Sequence, residues 1–409
     1  MADTLLSVDE ARARIQGACA FPRLAAETVA LSEAAGRVLA EELAARRTQP
    51  PTAVSAMDGY ALRVADVASV PAKLKVIGES PAGGAFAGTV GAGECVRIFT
   101  GGPVPAGADA VVIQEDTDMG KPMVTVKETL KPGENIRAAG IDFSEGQVLL
   151  RAGRRLTARD IGLTAAMNHP WIAVTRRPRI AILATGDEVV RPGDPIGPNQ
   201  IVSSNGPALA AFIQARGGVA IDLGIARDEA GSLTALTEGA RGADLLITTG
   251  GVSVGDYDLV QKVLGAAGLK VDFWKIAMKP GKPLMFGSLP ATRVLGLPGN
   301  PVSSMVCALL FLGPAIDAML GLPGSGVPMM RARLGADVGP NNFREDFMRA
   351  TLTDGDGDLP VATPFPVQDS SMMSRLAQAG CLIRRAPNAA PAKKGDVVEV
   401  ISLADILGA

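Results

Sequence analysis

Histidine is all but missing from this 409-residue sequence, His169 being the only one. That scarcity excludes His-rich metal centres and argues against a Ser-His-Asp mechanism, and with Pro170 beside it the lone imidazole reads as structural. Cysteine is nearly as sparse: Cys19, Cys95, Cys307 and Cys381 stand far apart, with no CxxC pair to suggest zinc or a redox dithiol. The expectation is reduced thiols in the cytoplasm, and oxygen ligands for any metal. An excess of one charge is also lacking, with 40 Lys+Arg against 42 Asp+Glu and a formal net charge of −2. A nucleic-acid binder usually carries a basic excess, so no nucleic-acid partner is expected. The opening MADTLLSVDEARARIQ brings acids early and lacks the basic start and apolar run of an export signal. The most apolar stretch, 305–313, looks too short for a bilayer and meets Pro314 at once, so it reads as a core helix and no membrane is expected.

What is present is a globular composition, 47% hydrophobic and 20% charged. At roughly 100–200 residues per domain, the length allows two to four domains. Glycine (48) and proline (29) are frequent but stay below the roughly 25–30% that signals disorder, and imply many turns.

Ser7 and Glu10 form a capping box ahead of Ala11, Ile15 and Ala18, and a second helical pattern runs over 31–45. Residues 48–57, with two prolines, read as an extended linker. Over 73–137 short β patterns (KLKVIG, CVRIFT, ADAVVIQ, MVTVKET) alternate with turns. Thr157 and Asp160 cap another helix. From Arg179 the rhythm changes: RIAILAT, VAIDLGI and ADLLITT read as buried strands separated by helical patterns, which implies a parallel sheet covered on both faces. The last 80 or so residues return to short strands. The fold expected is therefore multidomain: a discontinuous helical domain (1–47 and 141–177), a small all-β domain inserted in it (48–140), a central doubly wound, mostly parallel α/β domain (178–326), and a C-terminal β-barrel-like domain (327–409).

In open α/β sheets ligands bind beyond the carboxyl ends of the strands. The loop after RIAILAT is TGDE: Thr185, Gly186, Asp187 and Glu188. The loop after ADLLITT is TGGVSVGDYD, carrying Gly250, Gly251, Ser253, Gly255, Asp256 and Asp258. Glycines let backbone N–H groups turn toward an anion, which favours phosphate or another oxyanion. Neither loop is a Walker A or a GxGxxG, so ordinary nucleotide hydrolysis and NAD chemistry lose support. Lys275, Lys279 and Lys282 then fall within WKIAMKPGKPLMFG, where they would neutralise oxyanion charge. LPGNPVSS places Asn300 at an N-cap and Pro301 at the first helical position, with amide donors free beyond them, and Ser204 and Asn205 open an earlier helix in the same way. Glu188, Asp228, Asp256 and Asp258 supply hard oxygens suited to Mg²⁺, and spacing leaves open which of them bind it. Outside this core, 55–61 (SAMDGYA), 97–105 (RIFTGGPVP) and 134–142 (ENIRAAGID) set polar side chains in turn-like contexts.

Seven strings in order, SAMDGYA, FTGGPVPAGADAVV, GENIRAAGID, TGDE, TTGGVSVGDYD, KPGKP and LPGNPVSS, resemble the molybdopterin molybdenumtransferase family, bacterial MoeA and the E domain of gephyrin. The resemblance implies insertion of molybdate into the dithiolene of adenylyl-molybdopterin, with Mg²⁺-dependent release of AMP. It implies a homodimer of four-domain subunits, whose site lies between the α/β domain of one subunit and the small β domain of the other. Molybdopterin adenylyltransferase and molybdoenzyme maturation factors are the implied partners. By motif, Asp58, Thr100, Arg137 and Asp142 match functional positions on the β domain. Glu188, Asp228, Asp258, Lys275 and Lys279 match those on the α/β domain, with Glu188, Asp228 and Asp258 as the metal carboxylates and Pro298 and Pro301 shaping the loop. Where the family carries QGSG or QGSH, this chain has Gln368, Asp369, Ser370 and Ser371. Ser370 is the matching serine and Asp369 replaces a glycine. Thr100 and Ser370 are expected to donate hydrogen bonds to oxyanion oxygens. Two other readings compete: an adenylyltransferase, which is typically the α/β core alone, and a gephyrin-like scaffold, which 4% aromatic content does not favour.

Overall fold

The computed structural model describes residues 5–250, 259–324, 326–355 and 357–404. The chain divides into two compact units. One comprises the N-terminal segment through Glu27, Gly36–Ala40 and Ala173 onward; the other comprises Thr28–Ala35 and Glu41–Ile172.

The first unit is built on a six-stranded sheet. Its spatial order is Val219–Ala226, Arg179–Thr185, Leu245–Thr249, Arg293–Leu297, Met285–Ser288, Lys270–Phe273. The first four strands run parallel, and the last two are antiparallel to their neighbours. Alternate residues of one strand serve opposite cores: Ile180, Ile182, Leu245 and Ile247 face a core with Leu209 and Phe212, whereas Ala181, Leu183 and Leu246 face one with Leu233 and Leu264. Both faces are covered, which is why these strands read as continuous apolar runs and not as an alternating pattern.

Helix Val8–Cys19 begins at the expected capping box, in which Glu10 N donates to Ser7 Oγ at 3.2 Å and Ser7 N to Glu10 Oε2 at 3.0 Å. Its Val8, Ala11, Ile15 and Cys19 fall on one face and join the first of the two cores. The apolar stretch near Pro314 departs from expectation. The helix does not end there but runs over Pro301–Met319. A π-helical turn, Ala308–Leu312, directly precedes Gly313 and Pro314. Widening the ladder there accommodates a residue that has no N–H to donate and whose ring crowds the preceding turn. The helix is long and apolar enough to span a bilayer, yet 89% of its most apolar window is buried inside the fold, as a core helix should be.

The C-terminal strands close on themselves. Glu345–Thr353 pairs with both Val361–Pro364 and Cys381–Arg385; Met330–Leu334 pairs with Val361–Pro364 and Val397–Ser402; and the last of these pairs with Cys381–Arg385. The result is a closed five-stranded barrel filled by small and branched residues such as Ala332, Ala350, Ile383 and Val400. A short strand from the α/β region, Met278–Lys279, runs beside Glu345 and Asp346.

The second unit carries a five-stranded sheet in the order Ala110–Ile113, Gly59–Leu62, Glu94–Ile98, Ala72–Ser80, Met123–Val126. Two local expectations are corrected. Gly59–Leu62, read from sequence as part of a turn, is an interior strand with all four residues buried. The helical pattern over 31–45 yields only a 3₁₀ turn, Leu31–Glu33, and the two-residue strand Leu43–Ala44. A turn at 35–36 interrupts it, and Val38 and Leu39 are buried as bridge residues instead of on a helix face. Helix Ala158–Ala166 is capped by Thr157 and Asp160 as expected. His169 is structural: its Nε2 lies 2.8 Å from the Ala44 carbonyl and the residue is buried.

Candidate active site

Within the first unit, the carboxyl ends of the parallel strands open into a cleft of about 970 Å³, at the upper end of the usual small-molecule range. Thr185, Thr249, Gly250, Pro298, Gly299 and Asn300 come from the strand-end loops, Ser204 and Asn205 from the start of helix Asn205–Ala215, and Lys279 and Lys282 from the segment that follows the 270–273 strand. The barrel region contributes Arg344, Gln368, Asp369, Ser370 and Ser371.

The strand-end loops are stitched together by polar groups. Asn205 Nδ2 donates to Thr249 Oγ1 and to the Gly299 carbonyl, both at 2.7 Å. A Cβ on Gly250, whose φ is 86°, would lie 2.6 Å from the Thr185 carbonyl oxygen, so only glycine lets the two loops approach this closely. Asn205 Oδ1 and Thr185 Oγ1 are buried with no hydrogen-bond partner among the described residues. Leaving a buried polar atom unpaired costs about 1–3 kcal/mol, so a polar group beside either atom would be stabilising.

Acidic residues gather at the ends of strands Arg179–Thr185 and Val219–Ala226; of Asp187, Glu188 and Asp228, only Glu188 is among the residues lining the cleft. Gly186 has φ 134°, and the Glu188 carboxylate occupies the space a Cβ would need. Asp228 N donates to Asp187 Oδ1 at 3.1 Å. Partial loss of hydration, and then repulsion from Asp187 and Glu188, pushes the Asp228 carboxyl above its ordinary range. A divalent cation would relieve that repulsion, and these hard oxygens suit Mg²⁺. Among the described residues, no group of three or more His, Cys, Asp or Glu side chains is arranged to hold a metal ion. Gly251, Ser253, Gly255, Asp256 and Asp258 lie outside the described residues.

Two of the three clustered lysines, Lys279 and Lys282, line the cleft; Lys275 is not among the lining residues. Lys279 Nζ lies 3.2 Å from Asp346 Oδ2 on the neighbouring barrel strand. Arg344, which carried no motif to single it out in the sequence, adds a third cation to the cleft, and its buried Nε has no hydrogen-bond partner among the described residues.

Asn300 occupies the N-cap position of helix Pro301–Cys307 and Pro301 the first turn, but the Asn300 side chain makes no capping bond. Its Nδ2 donates to Ser370 Oγ at 2.9 Å. The Val302 amide, expected to be free, donates to the Ser370 carbonyl at 3.1 Å. The loop carrying Ser370 is itself fixed. The Asp369 carboxylate accepts from Ser371 N at 2.8 Å and from Ser371 Oγ at 2.6 Å, which holds its pKa below the usual value. Buried Arg349 donates to the Asp369 carbonyl at 2.8 Å and to Gln368 Oε1. Asp369 thus closes its own turn through the carboxylate.

In the second unit the three turn-like motifs meet at one exposed place. Gly101 N donates to Ser55 O and Ser55 N to Gly102 O, both at 2.9 Å, Ala56 N donates to Asn135 O at 2.8 Å, and Val54 pairs with Arg137. Asp142 N donates to Gln49 O at 3.1 Å. Asp58 Oδ1 accepts from both Thr100 N (2.7 Å) and Thr100 Oγ1 (2.8 Å), and these bonds lower its pKa. Because the carboxylate is ionised, the Thr100 hydroxyl proton is committed to it, and Thr100 offers lone pairs outward where an oxyanion donor was expected.

Three family models match the chain consecutively: the MoeA N-terminal region (domain I and II) over residues 6–168, a probable molybdopterin binding domain over 181–318, and the MoeA C-terminal region (domain IV) over 331–403. A molybdopterin molybdenumtransferase of Haemophilus influenzae is 34% identical over 411 residues, covering 99% of this chain and 100% of that protein. The chain belongs to the molybdopterin molybdenumtransferase family. A relative of the same name from Nostoc sp. is 38% identical over 365 residues, covering 87% of this chain and 84% of the relative. The crystal structure of a MoeA protein from Pyrococcus horikosii superposes with a TM-score of 0.84 at 30% identity, covering 98% of this chain and 99% of the other. Within the molybdenumtransferase frame, the strand-end loops and lysines of the cleft fall in the molybdopterin-binding match, Arg344 and Ser370 in the C-terminal match, and Asp58, Thr100, Arg137 and Asp142 in the N-terminal match.

Proposed function

We propose that this chain inserts molybdate into the dithiolene of adenylyl-molybdopterin and releases AMP. The observation that supports the reading best is the cleft itself. It sets Lys279, Lys282 and Arg344 among strand-end loops rich in glycine and hydroxyl groups, in a chain aligned from end to end with a named transferase. The substrate brings a pyrophosphate and two sulfurs, and molybdate brings further negative charge, so uncompensated association would be repulsive. The three cations offset that repulsion, and Ser370 donates a hydrogen bond to an oxyanion oxygen. Glu188 and Asp228, with Asp258, would hold Mg²⁺. Bound Mg²⁺ supplies Lewis-acid polarisation of the phosphoanhydride.

The proposal includes a homodimer in which Asp58, Thr100, Arg137 and Asp142 complete the cleft of the partner subunit, and it keeps the four-domain partition set out from sequence. The four buried free cysteines suit a cytoplasmic setting. An incubation with purified protein tests the reaction. AMP release that requires molybdate is expected with adenylyl-molybdopterin; net ATP consumption with free molybdopterin would assign the chain to adenylylation instead. Asp58→Ala should abolish AMP release while the protein remains folded and dimeric.

A further inference from the structure

Ser370 and Asn300 exchange tasks. An asparagine at an N-cap ordinarily accepts a hydrogen bond from the second or third helical amide. Here the Val302 amide is satisfied by the Ser370 carbonyl, at 3.1 Å, and the Asn300 side chain makes no capping bond. Its amide nitrogen instead donates to Ser370 Oγ at 2.9 Å. With Nδ2 toward the hydroxyl the bond runs from Asn300 to Ser370, because an amide NH₂ is only a donor. Ser370 Oγ must therefore accept from Asn300, and its own proton is left for another acceptor. Both residues line the cleft, and no other side chain among the described residues takes that proton. Asp369 is turned onto Ser371, at 2.6 and 2.8 Å, so the nearest carboxylate in sequence does not compete for it.

We infer that Asn300 is a positioning residue. It sets the direction of the Ser370 hydroxyl so that the proton faces the cleft and is donated to an oxyanion, which deepens the proposed function and rests on it. Asn300 acts through Ser370 and not by capping its helix or by touching the anion.

Asn300→Asp tests this. Aspartate has the same size and caps a helix equally well, but at neutral pH it only accepts, so it would pull the Ser370 proton out of the cleft. Molybdate binding to the full-length protein is measured by equilibrium dialysis for wild type, Asn300→Asp, Ser370→Ala and the double variant, alongside the KM and kcat of AMP release and the melting temperature. A hydrogen bond to a charged group is worth about a factor of ten or more in affinity. Asn300→Asp and Ser370→Ala should each weaken molybdate by about that factor, and the double variant should be no weaker than Ser370→Ala. The loss should appear in the KM for molybdate and leave kcat largely in place. Asn300→Ala, which removes the donor without adding charge, should cost a few-fold, and nothing when Ser370 is already alanine. Wild-type affinity in Asn300→Asp overturns the inference. So does an equal loss in the Ser370→Ala background, because that would be the repulsion of an added charge. Absence of molybdate-dependent AMP release in the wild type would overturn the proposed reaction, while the dialysis cycle would still report on the Asn300–Ser370 pair.

Discussion

Asp346 and Lys279 show how single side chains set the balance of charge in the cleft. Their 3.2 Å ion pair ties one of the cleft's cations to a carboxylate that is itself mostly shielded from solvent. Pairs of this kind contribute about 0.2–1 kcal/mol when one partner is exposed. Asp346→Asn should therefore tighten binding of inorganic anions by up to about fivefold, and Lys279→Gln should weaken it, both read by sulfate or phosphate competition. Asp228 points the other way. Its carboxyl is raised by lost hydration and by the charges of Asp187 and Glu188, so the folded state binds a proton that the unfolded chain would release. Such a group lowers stability as pH climbs from the ordinary carboxylate range through its elevated folded value, and the penalty persists at neutral pH. Asp228→Asn should accordingly raise the melting temperature of the metal-free protein at pH 7 and have no such effect below about pH 3.8, the unperturbed value. A Gly186→Ala change should displace the Glu188 carboxylate, whose place the new methyl would take. AMP release should fall more steeply than the melting temperature does.

At the level of elements, the clearest signals in the sequence were those with a local physical cause. Both capping boxes are visible as a hydroxyl followed three residues later by an acid, and both form. Thr157→Ala should lower stability by about 1 kcal/mol, measured as a shift in the denaturant midpoint, because it strips a bond from Asp160, which is buried and also held by Arg154 at 2.8 Å. The strand-end loops were legible because a run of buried β residues followed by glycine locates the carboxyl edge of a parallel sheet. The signals that failed depend on tertiary context. Gly59–Leu62 is too short to display a period, and only its neighbours on either side make it a strand. The pattern over 31–45 has the composition of a helix, yet its apolar residues are buried by bridging. Arg344 lines the cleft and Asp346 meets Lys279 because the Met278–Lys279 strand lies beside Glu345 and Asp346, a pairing between distant segments that no local pattern announces.

Across the whole molecule, the first unit holds a cleft walled by strand ends, lysines and the Ser370 loop, while Asp58, Thr100, Arg137 and Asp142 lie on the second unit. Ligands that bind only the folded state stabilise it by mass action, by about 2.7 kcal/mol at a hundredfold excess over Kd. AMP and molybdate together should raise the melting temperature more than either alone, and molybdate's share should shrink in Ser370→Ala, by about the 1.4 kcal/mol that a tenfold loss of affinity represents. The most direct measurement is a crystal structure of the protein soaked in molybdate and AMP. Density for the oxyanion is expected against Lys279, Lys282, Arg344 and Ser370, with the nucleotide in the same cleft along the Thr185 and Gly250 loops. Both ligands lying elsewhere, or an empty cleft at saturating concentrations, would contradict the proposed function.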